Sequence, residues 1–115
     1  MEEKTYPKYT VSKEETTYNA LKQIEDNLVG TLIVLHQNKV VGMLTDGDIR
    51  KLLIANNMLT IPVKYAMNRN YIFITENDNQ GAINQIFNEH STIRLLPVIN
   101  DKGTLLDIKI RPNYL

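Results

Sequence analysis

The chain of 115 residues suits one compact domain, and its 43% hydrophobic and 23% charged residues are those of an ordinary soluble globular protein. Thirteen basic and thirteen acidic residues cancel, which argues against a nucleic-acid or membrane-surface partner, since phosphate backbones attract basic faces. The absence of cysteine excludes disulfides, thiolate metal sites and cysteine nucleophiles and accords with a reducing cytoplasm; Met1 to Pro7 lacks the apolar core of a signal peptide, and no apolar run approaches the ~20 residues of a membrane span.

In chain order, Tyr9 to Val11 reads as short and extended. Ser12-Lys13-Glu14-Glu15 has the form of a capping box, and Ala20, Leu21, Ile24 and Leu28 follow at helical spacing. Thr31 to Leu35 is an apolar, β-branched strand, His36 to Lys39 a polar turn, and Val40 to Leu44 the returning strand of a hairpin. A second helix is expected over Asp46 to Ala55, with Ile49, Leu52 and Leu53 on its apolar side. Pro62 to Met67 reads as a one-turn helix opened by proline.

The same order then recurs. Tyr71 to Ile74 is expected to be extended, and Asn77-Asp78-Asn79-Gln80 is a second cap pattern. Ala82, Ile83, Ile86 and Phe87 form a helix stripe. Leu95 to Ile99 and Thr104 to Ile110 make a hairpin through Asn100-Asp101-Lys102-Gly103, whose glycine is available for positive φ. Aligned by pattern, Ala20 matches Ala82 and Leu32 matches Pro97, so a loop carries a small insertion. Asp107, Ile110 and Asn113 then stand where Gly42, Thr45 and Asp48 stood, and no second helix follows Pro112. A half-unit of about 60 residues buries too little surface to stand alone. The expectation is therefore an α/β (α+β) sandwich of two pseudo-symmetric β-α-β-β-α repeats, 1–61 and 62–115, packed sheet to sheet, the second lacking its final helix. A cleft between repeats is the natural place for a ligand.

Thr45-Asp46-Gly47-Asp48-Ile49-Arg50 carries the chemistry. A hydroxyl and a carboxylate stand three residues apart at a helix start, with Gly42 upstream where a backbone or a ligand could approach closely. Ser/Thr-x-x-Asp in that place can hold a ribose and a phosphate, and it can be an ordinary helix cap; the two roles are compatible. The hydrolase, nucleotide-loop and zinc signatures do not occur. His36 and His90 have no partner at metal spacing.

With the repeat in place, Gly42-Met43-Leu44-Thr45-Asp46-Gly47-Asp48-Ile49 and Ile93-Arg94-Leu95-Leu96-Pro97-Val98-Ile99-Asn100 resemble the tandem CBS-domain pair, or Bateman module, from about Tyr9 onward. The resemblance implies a non-catalytic regulatory module that binds an adenosine-containing ligand (AMP, ADP, ATP or S-adenosylmethionine) between its repeats. It needs no cofactor; AMP or ATP is the expected regulatory ligand. By the same resemblance Asp48 would accept from both ribose hydroxyls and Thr45 would contact phosphate. Met43 and Gly47 would line the site, the backbone near Tyr71 would read the adenine edge, Leu96 and Pro97 would pack on the base, and Arg94 would hold phosphate. The carboxylates of Asp46 and Asp48 oppose a phosphate, so modest affinity is expected. Asp-Gly-Asp-Ile-Arg is also similar to CBS pairs attached to sugar nucleotidyltransferases and sugar-phosphate isomerases, which implies an attached or partner enzyme domain and a chain that is an excised regulatory piece. Homodimerisation is expected. The alternative is a ligand-free dimerisation or docking module.

Overall fold

Residues 5–112 are described by the computed structural model, which has the expected element order. The first repeat runs β1 (Thr10–Ser12), α1 (Thr17–Asn27), β2 (Thr31–His36), β3 (Lys39–Thr45) and α2 (Asp46–Asn56). A 3-10 turn, Val63–Tyr65, follows Pro62. The second repeat is β4 (Ile74–Thr75), α3 (Gln80–Glu89), β5 (Leu95–Ile99) and β6 (Leu105–Ile110). Each repeat forms a three-stranded sheet in which a short parallel edge strand flanks an antiparallel hairpin. Among the described residues no helix follows β6. Asn113 lies outside them.

Strand alternation builds three apolar layers. Leu32 and Val34 point outward from β2 and pack with Ala20, Ile24, Leu44 and Ile49 beneath the helices. Ile33, between them, points the other way. With Val29 and Val40 it meets Leu95, Ile99 and Leu105, so the middle layer belongs to both sheets. Leu96 and Val98 face Ile74, Ile83 and Phe87 in the third layer. Each such side chain contributes about 1.5–3 kcal/mol on burial.

Both hairpins carry a bulge, at Val34/Leu35 and at Val98/Ile99. The helix caps fall at Thr16 and Asn79. Superposing these landmarks corrects the sequence alignment: Ala20 corresponds to Ile83 and Leu32 to Leu96, while Asp107 does occupy the place of Gly42. The insertion is thus spread between the helix–strand loop and the hairpin turn. A slip of one residue in a strand exchanges its two faces, and this decides where Leu96 points.

Cap chemistry also differs from expectation. Ser12 ends β1, and its hydroxyl accepts from the Glu14 N–H (3.2 Å), while Thr16 caps α1 by accepting from the Asn19 N–H (3.2 Å). In the second repeat Asn79, not Asn77, caps α3 through the Ala82 N–H (2.9 Å). Leu28 is no part of the helix stripe. It terminates α1 with φ +63° and is 80% exposed. Tyr71 to Phe73 lies outside the sheet, because the ladder register turns the edge of Pro97 that lacks an N–H toward β4. Arg111 closes the C-terminal end of α3. Its guanidinium donates to the carbonyls of Ile93 (2.7 Å), Phe87 (2.8 Å) and His90 (2.7 Å) and lies over the Phe87 ring.

The hairpin tips are joined. Gln37 and Asn38 both have positive φ, as a two-residue hairpin turn of this hand requires. This turn meets the second hairpin through Val40 N–H to Gly103 O (2.9 Å) and Leu105 N–H to Asn38 O (3.0 Å).

Candidate functional site

At the other end of the sheets, β3 runs into α2 through Thr45. The Thr45 hydroxyl accepts from the Asp48 N–H (3.2 Å) and the Asp48 carboxylate accepts from the Thr45 N–H (3.0 Å), a reciprocal capping box. The cap uses one of the two carboxylate oxygens, and the Thr45 O–H keeps its capacity to donate. Of the two groups that Gly42 could admit, a backbone is the one present. A Cβ there would lie 2.7 Å from Met67 Sδ and 3.1 Å from the Asn68 carbonyl. That close approach lets Met43 and Asn68 exchange two backbone hydrogen bonds, of 3.0 and 2.8 Å.

The segment held in this way forms the roof of a cleft of about 240 Å³. The first repeat supplies Thr31, Met43 and Thr45, the connection supplies Asn68, Asn70, Tyr71 and Ile72, and the second repeat supplies Thr92, Ile93, Arg94 and Leu95. The volume lies a little below the ~300 Å³ at which ordinary ligand pockets begin. A side groove shares Thr31, Thr45, Thr92 and Arg94 with it and adds Gly30, Asp46 and Ser91. Met43, Ile72, Ile93 and Leu95 are its apolar lining; the rest presents hydroxyls, amides and one guanidinium.

Two long-range bonds fix this geometry. The Tyr71 hydroxyl donates to Val40 O (3.0 Å), and burial raises its pKa above the ordinary tyrosine value. The Arg94 guanidinium donates to Val29 O (3.2 Å), so a second-repeat side chain is anchored on the first repeat. Gly30 makes room for it. Its φ is +80°, and a Cβ would come within 3.3 Å of the guanidinium. Asp46 pairs with Arg50 across one helical turn (2.9 Å), both side chains being more than half exposed.

Of the residues singled out from sequence, Met43, Thr45, Tyr71 and Arg94 are brought together on the cleft wall. Asp48 is adjacent, in the cap, and lines neither the cleft nor the groove. Gly47 lies in the first turn of α2, beside the Thr45 hydroxyl and Arg50. Leu96 is placed differently from expectation: it is fully buried under α3, because the pleat turns it away from the facing sheet. Pro97 is also fully buried and lines neither space; Ile93 and Leu95 form the wall instead. Sequence reasoning passed over Thr31, Asn68, Asn70 and Thr92. The signal for the two asparagines was the Asn-Arg-Asn run between the 3-10 turn and Tyr71.

The pseudo-symmetric counterpart of this end is differently furnished. Ile108, Ile110, Tyr6 and Tyr9 pack against the middle layer, and the Tyr6 hydroxyl donates to Asp107 Oδ1 (2.9 Å). Burial pushes the Asp107 carboxyl up, but the Ile108 N–H, the Tyr6 hydroxyl and Lys109 outweigh it and hold the group below its ordinary range.

The sequence matches the CBS domain family twice, over residues 4–55 and 63–108. The chain belongs to this family and carries a tandem CBS pair; such pairs are generally regulatory, non-catalytic modules. An uncharacterised 17.7 kDa protein in the bps2 3′ region of Acidianus ambivalens is 31% identical over 102 residues, which span 87% of this chain and 60% of that protein. Among solved structures, CBSX2 in complex with AMP matches with a TM-score of 0.75 at 21% identity, covering 92% of this chain and 83% of that one. The CBS pair of MJ0100 in complex with 5′-methylthioadenosine and S-adenosylmethionine matches with a TM-score of 0.70 at 22% identity, covering 92% and 83%. These likenesses establish the fold. Among the described residues no helix is long and apolar enough to cross a membrane, and no group of three or more His, Asp or Glu side chains is placed to hold a metal.

Proposed function

We propose that the chain is a regulatory module that binds an adenosine-containing ligand in the cleft between its repeats and controls an attached or partner enzyme domain. The observation that carries this is the composition of the cleft. Both repeats contribute apolar side chains to its lining (Met43; Ile93 and Leu95) and both contribute hydroxyls (Thr31 and Thr45; Thr92), with the Arg94 guanidinium from the second. Met43, Ile93 and Leu95 would flank the base, and the backbone around Tyr71 would face its edge. Thr45 would donate its hydroxyl to the 5′ group, with Arg94 beside it. Asp48 would offer the ribose the oxygen that the cap leaves over, and Gly47 would keep the first turn of α2 narrow. The AMP and S-adenosylmethionine complexes of CBSX2 and MJ0100 support this ligand class.

A ligand spanning two repeats favours the arrangement in which both contact it, and a partner that senses that arrangement is thereby regulated. The resemblance of Asp-Gly-Asp-Ile-Arg to pairs attached to sugar nucleotidyltransferases or sugar-phosphate isomerases suggests the kind of enzyme. Homodimerisation fits the exposed apolar residues of α2 and its exit, Ile54 (86% exposed) and Met58 (52%). A module that docks without ligand would use the same surface.

Calorimetric titration with AMP, ATP and S-adenosylmethionine tests the reading. Saturable binding by at least one is expected. The Asp48→Ala variant is expected to stay folded, losing about 1 kcal/mol of cap stability, while its ribonucleotide affinity falls. Absence of heat and of thermal shift with every ligand at millimolar concentration would reject a nucleotide site.

A further inference from the structure

The first repeat shows what an outer surface of the second is built to hold. In the first repeat the connection lies across the turn between β1 and α1. Val63 N–H donates to Glu15 O (2.8 Å) and Lys64 N–H to Lys13 O (3.1 Å). The Thr17 and Tyr18 N–H groups at the start of α1 donate to Ile61 O (2.9 Å) and Leu59 O (2.8 Å). Val63 is fully buried in the layer that holds Val11, Ala20 and Val34, and the Lys64 ammonium pairs with Glu14 (2.9 Å). The same place in the second repeat is a groove of about 380 Å³, with Ile74, Ile83 and Val98 as the counterparts of those three residues. The carbonyls of Glu76 and Asp78 and the N–H groups of Gln80 and Gly81 correspond to the four backbone groups that the connection engages. Among the described residues no backbone partner engages them, and the first N–H groups of a helix have none within it.

The charges of the two seats differ. Glu76 stands where the first repeat has Lys13, Asp107 where it has Gly42, and Lys109 where it has Leu44. Lys109 pairs with Asp107 (3.3 Å), and Asp78 uses one carboxylate oxygen to accept from the Thr75 N–H (2.8 Å). Glu76 has no ion pair among the described residues, so the β4–α3 turn keeps an excess of negative charge. From this correspondence we infer that the groove docks an extended segment of a partner protein, with an apolar β-branched anchor over Ile74, Ile83 and Val98 and a basic residue beside it at Glu76. Main-chain pairing at an exposed edge holds the segment, and the pocket and the acidic turn select its side chains. The groove shares no lining residue with the cleft between the repeats, so the inference does not rest on the adenosine site.

The probe is a fluorescently labelled peptide with the sequence of Leu59 to Met67, titrated against the full chain by anisotropy. The first-repeat seat is already held by the tethered copy of that sequence, whose effective concentration is about millimolar or above. Saturable one-to-one binding is therefore expected at the second. Lys64→Glu in the peptide, or Glu76→Lys in the protein, is expected to weaken binding about three- to tenfold, the scale of an exposed ion pair removed and reversed, and combining the two is expected to restore it. Gln80→Pro removes one backbone donor at the helix position where proline is favoured. It is expected to leave the far-UV spectrum and Tm unchanged while affinity falls about fivefold, the worth of one hydrogen bond. No binding, or binding that neither protein variant alters, overturns the inference. Self-association of the chain that Glu76→Lys abolishes would assign the groove to a second copy, and peptide binding seen only after removal of residues 1–4 would assign it to the chain's own start. Either result overturns the partner assignment.

Discussion

Gly42→Ala probes the position where β3 is approached most closely. A methyl group there meets Met67 Sδ at 2.7 Å, Met67 Cγ at 2.9 Å and the Asn68 carbonyl at 3.1 Å. The methionine side chain can turn aside, but the carbonyl belongs to the backbone bridge with Met43 and must move away from it. Overpacking of this kind costs about 1–3 kcal/mol. Straining the two bridge hydrogen bonds adds a fraction of their net worth of about 1 kcal/mol each. Against this, alanine recovers roughly 0.5–1 kcal/mol of the entropy that glycine loses in a strand. The balance is a loss of about 1–2 kcal/mol, or a fall in Tm of about 4–8 °C for a chain of this size. Thermal unfolding followed by far-UV circular dichroism measures it. Because Asn68 roofs the cleft, ligand affinity is expected to fall in the same variant. An unchanged or raised Tm would refute the close packing of the connection on β3.

Three further outcomes follow from residues away from the cleft. Leu28 sits exposed in the left-handed region at the end of α1, so Leu28→Gly is expected to raise stability by about 0.5–1 kcal/mol, read as a higher denaturation midpoint in urea. Arg111→Met keeps much of the apolar stem but leaves the carbonyls at the end of α3 without their donor, and about 1–3 kcal/mol should be lost in the same assay. Asp107 titrates below its ordinary value in the folded protein. Its contribution is thus fully present above the unfolded aspartate pKa of about 3.9 and is lost as pH falls through the lower folded value. Asp107→Asn is therefore expected to be less acid-sensitive than the parent below about pH 4 while being less stable near neutrality; parallel stability–pH curves would contradict the Tyr6–Asp107 contact.

The repeat, the hairpins and the sheet-on-sheet packing were legible because apolar periodicity and turn chemistry recur along the chain. Caps were less so. Ser12, Thr16, Asn77 and Asn79 all have cap chemistry, and only the tertiary position of each helix decides which one serves. The resemblance put Leu96 and Pro97 together on the base, but consecutive residues of a pleated strand face opposite ways, and Leu96 lies under α3. The shortness of β4 depended on a proline more than twenty residues away in sequence. At the site, Met43, Thr45, Tyr71 and Arg94 stood out by motif or charge. Thr31, Asn68, Asn70 and Thr92 did not, because nothing local distinguishes them from ordinary strand and loop residues; only the bridge between Met43 and Asn68 brings the connection over the cleft.

The backbone stitch between Val40 and Gly103, and between Leu105 and Asn38, acts as a fulcrum. It lies at the far tips of the hairpins, whereas the residues that would grip a ligand lie at the opposite ends of β2, β3 and β5. A relative rotation of the two sheets about these tips would move the start of α2 most and would have to stretch the Arg94–Val29 bond. Probe pairs attached to α2 and to the loop before β5 would read ligand-driven closure with the greatest leverage, and a pair across the turns would stay silent.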